Sequence, residues 1–395
     1  MNISGIIAEY NPFHSGHARQ IAETRRLLGE DAAVVCAMSG NWVQRADCAI
    51  ADKWTRAAVA LKGGADLVLE LPVLWAMSPA ERFADGGVAL LTRTGAVDTL
   101  LFGSECGDLP ALQAAAAALD SPAFTEALRT RQEDGVTFAA ARQQILASLP
   151  GVNASLLEKP NNTLAVEYLR AIARQHSRLV PLTIPRIGAD HDGPPEAGTA
   201  SASHLRALLH RGSTEEACAF MPPAAADILR REVQSGHIAD PALCERAILS
   251  RLRTMSEADW QPYDRGGEGL YHRLYRAAQT GASLEEVLSA AKTKRYPLSR
   301  LRRMIMAAWL ALPPDIPAQP PYLRVLAANA AGRAPLRQMR DSSAPVLTKP
   351  ADAPALGREA AALLALESRC TDLRALACPD PGRPGADTRA APLML

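Results

Sequence analysis

No stretch of this chain approaches the about 18 uncharged apolar residues that a membrane helix needs. The start does not read as a secretion signal either, because Glu9, Asn11 and His14 interrupt it where an apolar run would be required. Paired cysteines are also missing. The seven present, Cys36, Cys48, Cys106, Cys218, Cys244, Cys370 and Cys378, are scattered, with no CxxC spacing. An odd number in a chain of 395 residues, large enough to fold without staples, points to reduced thiols and a cytoplasmic setting. Internal repeats are absent, and the net charge is only +1. What the chain does have, 48% hydrophobic and 22% charged residues, excludes a disordered chain and a supercoiled rod. Its length suits two or three domains.

The small net charge conceals an asymmetry. Residues 1–244 carry −6, residues 245–349 carry +8 and residues 350–395 carry −1. A basic middle segment suits a polyanionic partner, and equally a solvated helix face.

Short apolar runs alternate with helical spacing through the first half. Strands are expected at 3–8, 33–38, 66–71, 99–102 and 179–184. Helices are expected at 17–28, 51–62 and 79–92, with a helical Ala/Leu/Gln-rich stretch at 109–148. This alternation predicts an α/β fold with a doubly wound parallel sheet, Rossmann-like in form. Beyond residue 205 the pattern turns mainly helical, up to a proline-rich linker at 313–321. Short strands at 322–328 and 345–348 and a helix at 354–368 follow. The expected division is 1–205, 206–312, a small α/β segment at 313–378, and a disordered tail at 379–395.

The sharpest chemical signal is Glu9-Tyr10-Asn11-Pro12-Phe13-His14-Ser15-Gly16-His17, between the first strand and the first helix. In an open α/β sheet, ligands bind at the carboxyl ends of the strands, where this loop lies. Gly16 allows close backbone approach, and the following helix N-terminus favours an anion. Two histidines three apart can donate N–H groups to phosphate oxygens. A metal reading of HxxH lacks an evident third ligand.

NPFHSGH after a first strand resembles the HxGH signature of the nucleotidyltransferase superfamily. Further blocks narrow the likeness: residues 38–72 (MSGNWVQRADCAIADKWTRAAVALKGGADLVLELP), LLFGSE (100–105), KPNNTLAVEYLRAI (159–172) and IPRIGADHDG (184–193). ASASHLRALL (200–209), KTKRYPLSRLRRMIM (292–306), PYLRVLAANAAGR (321–333) and PVLTK (345–349) continue the series. Taken in order, they resemble the tRNA(Met) cytidine acetate ligase family over nearly the whole chain.

That resemblance implies an enzyme that joins acetate to ATP, releases pyrophosphate, and passes the acetyl group to N4 of the wobble cytidine of elongator tRNA(Met). It implies His14 and His17 as the catalytic pair at the α-phosphate. It implies ATP contacts from Ile7, Ala8, Glu9, Tyr10, Asn11, Pro12, Phe13, His14, Ser15, Gly16, His17, Ala18, Arg19 and Gln20, and from Gly103, Asn161 or Asn162, and Arg186. An Asn of that pair could equally cap the helix that follows. Gln44, Arg45, Lys53, Ser201 and Ser203 are candidate phosphate or substrate contacts. Mg²⁺ is expected to accompany ATP on general phosphoryl-transfer grounds, with no ligands assigned. Asp190, His191 and Asp192 read as a loop near the nucleotide.

The basic segment then gains a role as the tRNA surface. Lys292, Lys294, Arg295, Arg300, Arg302 and Arg303 fall within twelve residues, and Tyr296 among them offers an aromatic for an unpaired base. Arg265, Arg273 and Arg276 would extend that surface, while Leu298, Leu301, Ile305 and Trp309 would face inward. The sequence departs from the family pattern at three places. Ser15 replaces Asn, Ala46-Asp47-Cys48 stands for Gly-Glu-Pro, and Thr163 and Ala165 replace Ile and Gly. Two other readings stay open: an adenylyltransferase acting on a different small substrate, and a tRNA-binding protein that keeps ATP without turnover.

Overall fold

The computed structural model describes residues 2–132, 138–149, 151–186, 198–294 and 296–395. Arg295 and the Asp190, His191 and Asp192 loop lie outside the described residues.

β1 (Ile3–Ala8) runs into the histidine loop, and α1 (Ser15–Leu28) returns the chain to β2 (Ala33–Ser39), which lies parallel to β1. All seven residues of β2 are buried, as an interior strand covered on both faces requires. A hairpin of β3 (Trp42–Val43) and β4 (Asp47–Cys48), which the sequence reading did not foresee, precedes α2 (Lys53–Lys62) and β5 (Leu67–Leu71). The short turn α3 (Val73–Ala76) and α4 (Ala80–Arg93) lead to β6 (Thr99–Ser104).

The expected helical stretch from 109 is divided into α5 (Leu109–Leu119), α6 (Pro122–Gln132) and α7 (Phe138–Ser148). The first break falls at Asp120-Ser121-Pro122, where proline cannot continue the preceding helix. α8 (Pro160–Arg174) and β7 (Val180–Pro185) complete the doubly wound unit. Its strand order is β5-β2-β1-β6-β7, all parallel, so the order reverses beside β1. The crevice outside the carboxyl ends of β1 and β6 is therefore the switch point of the sheet.

Helices then follow as expected. They are α9 (Ala202–His210), α10 (Thr214–Cys218), α11 (Pro223–Gln234), α12 (Glu245–Thr254), α13 (Glu257–Trp260), α14 (Leu270–Thr280), α15 (Leu284–Ala291) and α16 (Leu298–Trp309). Trp309 of α16 meets Trp42 of the hairpin edge-on at 5.5 Å, so the helical region is seated on the sheet's loops.

The last third of the chain goes back to the sheet. β8 (Leu323–Ala328) pairs antiparallel with β5, and β9 (Val346–Leu347) pairs with β8. After α17 (Arg333–Gln338) and α18 (Arg358–Ala375), α19 (Ala386–Arg389) leads to β10 (Leu393–Met394), also paired with β8. Residues 313–378 thus share the N-terminal sheet rather than building one of their own. The tail from Pro379, expected to be disordered, is corrected by the same observation. It carries a short helix and an edge strand, and it buries Asp387 completely. Its proline-rich composition concealed one carboxylate that the core requires.

Candidate active site

At the switch point, the loop after β1 is held by its own residues. The Tyr10 ring stands edge-on to Phe13 and to His17, each at 4.9 Å, and the Phe13 ring lies where any Cβ on Gly63 would sit. Tyr10 adopts a positive φ of 48°, a strained state for a bulky side chain that this packing holds in place. The Asn11 side chain accepts from the Ile50 N–H, and its carbonyl accepts from Arg206 at 2.6 Å. Ser15 turns away from the crevice, its hydroxyl donating to the Phe220 carbonyl at 2.8 Å. The Asn-to-Ser departure therefore falls on an anchoring contact.

His14 caps α1. Its Nδ1 accepts from the Gly16 N–H at 3.1 Å, while Nδ1 of His17 accepts from the His14 N–H at 3.2 Å. An imidazole whose Nδ1 accepts must carry its proton on Nε2 when neutral. The two rings lie 3.8 Å apart. Burial, and then the Arg186 charge, push the His14 pKa down to about 4. Burial, His14 and Arg186 hold His17 well below the ordinary value. Both rings are thus neutral Nε2–H donors at neutral pH, and neither Nε2 has a protein partner among the described residues.

They open onto a cavity of about 470 Å³. Its lining takes Ile7 and Ala8 from the end of β1, Glu9, Tyr10 and Asn11 from the loop after it, and Phe102 and Gly103 of β6, and it includes Gln20, Asn161, Arg186 and Ser201. A second space of about 290 Å³ shares His14, His17, Gln20, Gly103, Arg186 and Ser201 with it, and adds Gly16 and Arg19. Pro12, Phe13, Ser15 and Ala18 line neither space and act as supports. At Gly103 an added Cβ would come within 3.1 Å of the Arg186 side chain. The missing side chain thus lets the arginine lie across the end of β6.

The asparagine pair divides its tasks. Asn162 is buried, and its side-chain oxygen accepts from the N–H groups of Glu105 and Cys106 at 2.9 and 3.1 Å. Asn161 lines the cavity. Neither caps its own helix. The Glu105 carboxylate does so, accepting from the Asn161 and Asn162 N–H groups at 3.0 and 2.6 Å.

Gln44 and Arg45 line the cavity from the hairpin. The Glu9 carboxylate accepts from the Gln44 N–H at 2.8 Å, and burial pushes its pKa up. Ser201 caps α9, its hydroxyl accepting from the His204 N–H at 3.2 Å, and lines both spaces. Ser203 instead accepts from Arg206 and lines neither. Lys53 departs furthest from expectation. It is fully buried, its Nζ 2.6 Å from Glu70 and 2.9 Å from Asp387, so it is committed to an ion network rather than to a substrate.

The described basic residues between 292 and 303 do not share one surface. Arg303, with Ser299, reaches the 470 Å³ cavity. Lys294, Arg300 and Arg303 border another, more apolar cavity, whereas Lys292 and Arg302 border a further one beside the hairpin. Arg273 donates to the Ala290 and Ala291 carbonyls at the end of α15. Tyr296 is buried, with its hydroxyl donating to the Glu268 carbonyl at 3.3 Å, which leaves no ring face for a base. Leu301, Ile305 and Trp309 do face inward. Sequence reasoning missed Glu105 and Ser299, although both lay inside blocks already singled out.

Known proteins resemble the whole of this arrangement. The HIGH Nucleotidyl Transferase family model matches residues 1–385. The tRNA(Met) cytidine acetate ligase of Syntrophomonas wolfei is 36% identical, covering 100% of this chain and 99% of that protein. Its counterpart in Acetivibrio thermocellus is 34% identical over 96% of each. The crystal structure of Thermotoga maritima TmcAL bound with alpha-thio ATP superposes with a TM-score of 0.93 at 29% identity, covering 100% of both chains. By sequence and by fold, this chain belongs to the tRNA(Met) cytidine acetate ligase family of HIGH nucleotidyltransferases.

Proposed function

We propose that the protein is an ATP-dependent ligase that makes acetyl-adenylate and transfers the acetyl group to N4 of the wobble cytidine of elongator tRNA(Met). The observation that carries this reading is the pair of neutral, cap-fixed imidazoles, each with Nε2–H open to a cavity at the sheet's switch point. A neutral donor suits a triphosphate because it gives a hydrogen bond without having first lost one to a carboxylate. Its proton affinity then rises as phosphate charge builds beside it.

In the first step an acetate oxygen attacks the α-phosphorus, the bond to the β-bridging oxygen breaks, and pyrophosphate leaves. His14 and His17 hold the α-phosphate and the departing group, with Arg186 across the end of β6 and Arg45 from the hairpin. Asn161 is the member of its pair that meets the nucleotide. In the second step the cytidine N4 attacks the acetyl carbonyl carbon, the bond from that carbon to the phosphate oxygen breaks, AMP departs with that oxygen, and N4 loses one proton to water.

Magnesium belongs to this scheme as the companion of ATP. Among the described residues no group of three or more His, Cys, Asp or Glu side chains could hold a metal, so the ion would come as part of the substrate. Among the described residues no helix is long and apolar enough to cross a membrane, in keeping with work on tRNA in the cytoplasm. The division proposed is a nucleotide unit at 1–205 and a tRNA-holding helical unit at 206–312, with Arg303 reaching from the second into the first.

The test is acetate-dependent exchange of pyrophosphate with ATP, followed by transfer of labelled acetate to a tRNA(Met) transcript. His17→Ala is expected to lower exchange about a thousandfold while the protein stays folded. Exchange without transfer to this tRNA would point to an adenylyltransferase with another acceptor. Binding of ATP and tRNA without any exchange would leave only a binding protein.

A further inference from the structure

The adenylate cavity ends at Pro79 and Arg303, and the same two residues begin another cavity of about 490 Å³. We infer that this second cavity receives the unstacked pyrimidine of the tRNA anticodon, with Arg303 at the opening between base and adenylate. The inference rests on the ligase reading above and adds the place where the acceptor waits.

Three observations support it. The walls are apolar and partly aromatic: Leu74 and Met77 come from α3 and the turn after it, Met304 and Ala307 from α16, and Tyr263 from the loop before α14. Flat bases taken out of a stack recover their lost contacts on walls of this kind. The Tyr263 hydroxyl has no partner among the described residues, so it is available to the polar edge of a base. The border is cationic, with Arg265, Lys294 and Arg300 and no lining carboxylate among the described residues, although Arg300 is ion-paired with Asp264 and Glu268 just outside it. That combination suits the phosphates on either side of one extruded nucleotide. The size also suits one nucleotide, since small-molecule sites span about 300–1,000 Å³.

Arg303 joins the two spaces. It is half-buried, it has no carboxylate or hydrogen-bond partner among the described residues, and burial together with Arg300 lowers its pKa. A guanidinium left unpaired between two cavities is poised to meet a phosphate from either side. Since Tyr296 is buried, Tyr263 is the aromatic side chain that remains open in this basic region's cavity.

The experiment uses the full-length protein and reads both half-reactions. Ala307→Phe fills the second cavity without touching the first. Acetate-dependent pyrophosphate exchange should stay within about twofold of the parent, while acetyl transfer to tRNA falls about thirtyfold, in line with the loss of base stacking. A variant that exchanges and transfers like the parent overturns the inference. If Ala307→Phe does not fold, the unsubstituted protein decides. A tRNA carrying 5-iodocytidine at the wobble position is irradiated on it, and crosslinks are expected at 263–265 or 297–307. Crosslinks confined to any other surface overturn the inference as well. Absence of exchange in the parent would instead remove the ligase reading itself, so the two failures are distinguishable.

Discussion

Two polar clusters lie at the carboxyl ends of β1 and β5, with β2 between them, and they handle burial in opposite ways. Around the histidine loop, His14 and His17 use one nitrogen to hold the backbone and keep the other for a ligand. Around the end of β5, Lys53, Glu70, Arg324 and Asp387 spend their charges on each other. Lys53 meets Glu70 and Asp387, and Arg324 meets the same two carboxylates. Thr371 donates to Asp387 as well. Glu367 closes the group, its carboxyl pushed well up by burial and by Glu70, which favours the protonated form. Two cations then balance two carboxylates with no charge left over. A cluster that satisfies itself holds the fold together, and one that keeps donors in reserve can bind.

The largest way to break this contrast is to remove one charge from the satisfied cluster. Lys53→Met leaves two buried carboxylates facing Arg324 alone, and the expected loss is about 3–5 kcal/mol in a denaturant titration. Those molecules that remain folded should keep the parent's KM for ATP, because Lys53 borders neither nucleotide space. A raised KM with unchanged stability would return Lys53 to the substrate and undo the distinction.

Acid separates the clusters next. Burial alone would raise Asp387, but Lys53 and Arg324 outweigh it and hold its pKa down to about 2. Its contribution is therefore whole above the ordinary carboxylate value and is lost only as pH falls through about 2. His14 goes the other way for a base. Its folded pKa of about 4 lies below the ordinary value of about 6.5, so the unfolded chain takes up the proton first. The stability gained from a neutral His14 is complete above pH 6.5 and is withdrawn as pH falls towards 4. At about 1.4 kcal/mol per unit, the difference amounts to about 3 kcal/mol. His14→Asn keeps an acceptor at the helix cap and removes the titrating ring. Its stability should therefore vary less between pH 6.5 and 4 than the parent's, when both are followed by chemical denaturation. Equal slopes would mean that His14 is not held neutral by the fold.

The histidine cluster was legible in the sequence because it is local. A strand, a loop and a helix consecutive in the chain, from Ile3 to Leu28, fix its position at the switch point, and no distant partner is needed to see it. The other cluster was not. Lys53 finds Asp387 334 positions away, and Arg324 finds Glu70 at a separation of 254. Nothing in the composition around Asp387 distinguishes a buried carboxylate from a solvated tail. Lys53 itself was misread for a physical reason, since it follows a strand end and lies in a polar stretch, as phosphate-binding lysines do. The Asn pair was half legible: its block marked the place, but only the Glu105 cap and the Asn162 contacts decide which side chain faces the cavity.

Between the two clusters runs the β3–β4 hairpin, and the smallest effect is expected there. Asn41, just before β3, donates to Thr371 of the ion network's shell at 3.0 Å, while Arg45 at the hairpin tip borders the nucleotide cavity. The chain turns at Ala46 with φ of +58°, a left-handed conformation that costs an L-residue about 1 kcal/mol and costs glycine nothing comparable. The departure from the family's glycine at this position has therefore left the turn in place and stored strain in it. Ala46→Gly should raise stability by about 0.5–1 kcal/mol, read as a shift in the denaturation midpoint, less what the freer unfolded glycine gives back. The exchange reaction should be unchanged if the turn already aims Arg45 correctly. If instead exchange rises along with stability, the alanine had displaced Arg45, and the hairpin couples the self-satisfied cluster to the one held open for substrate.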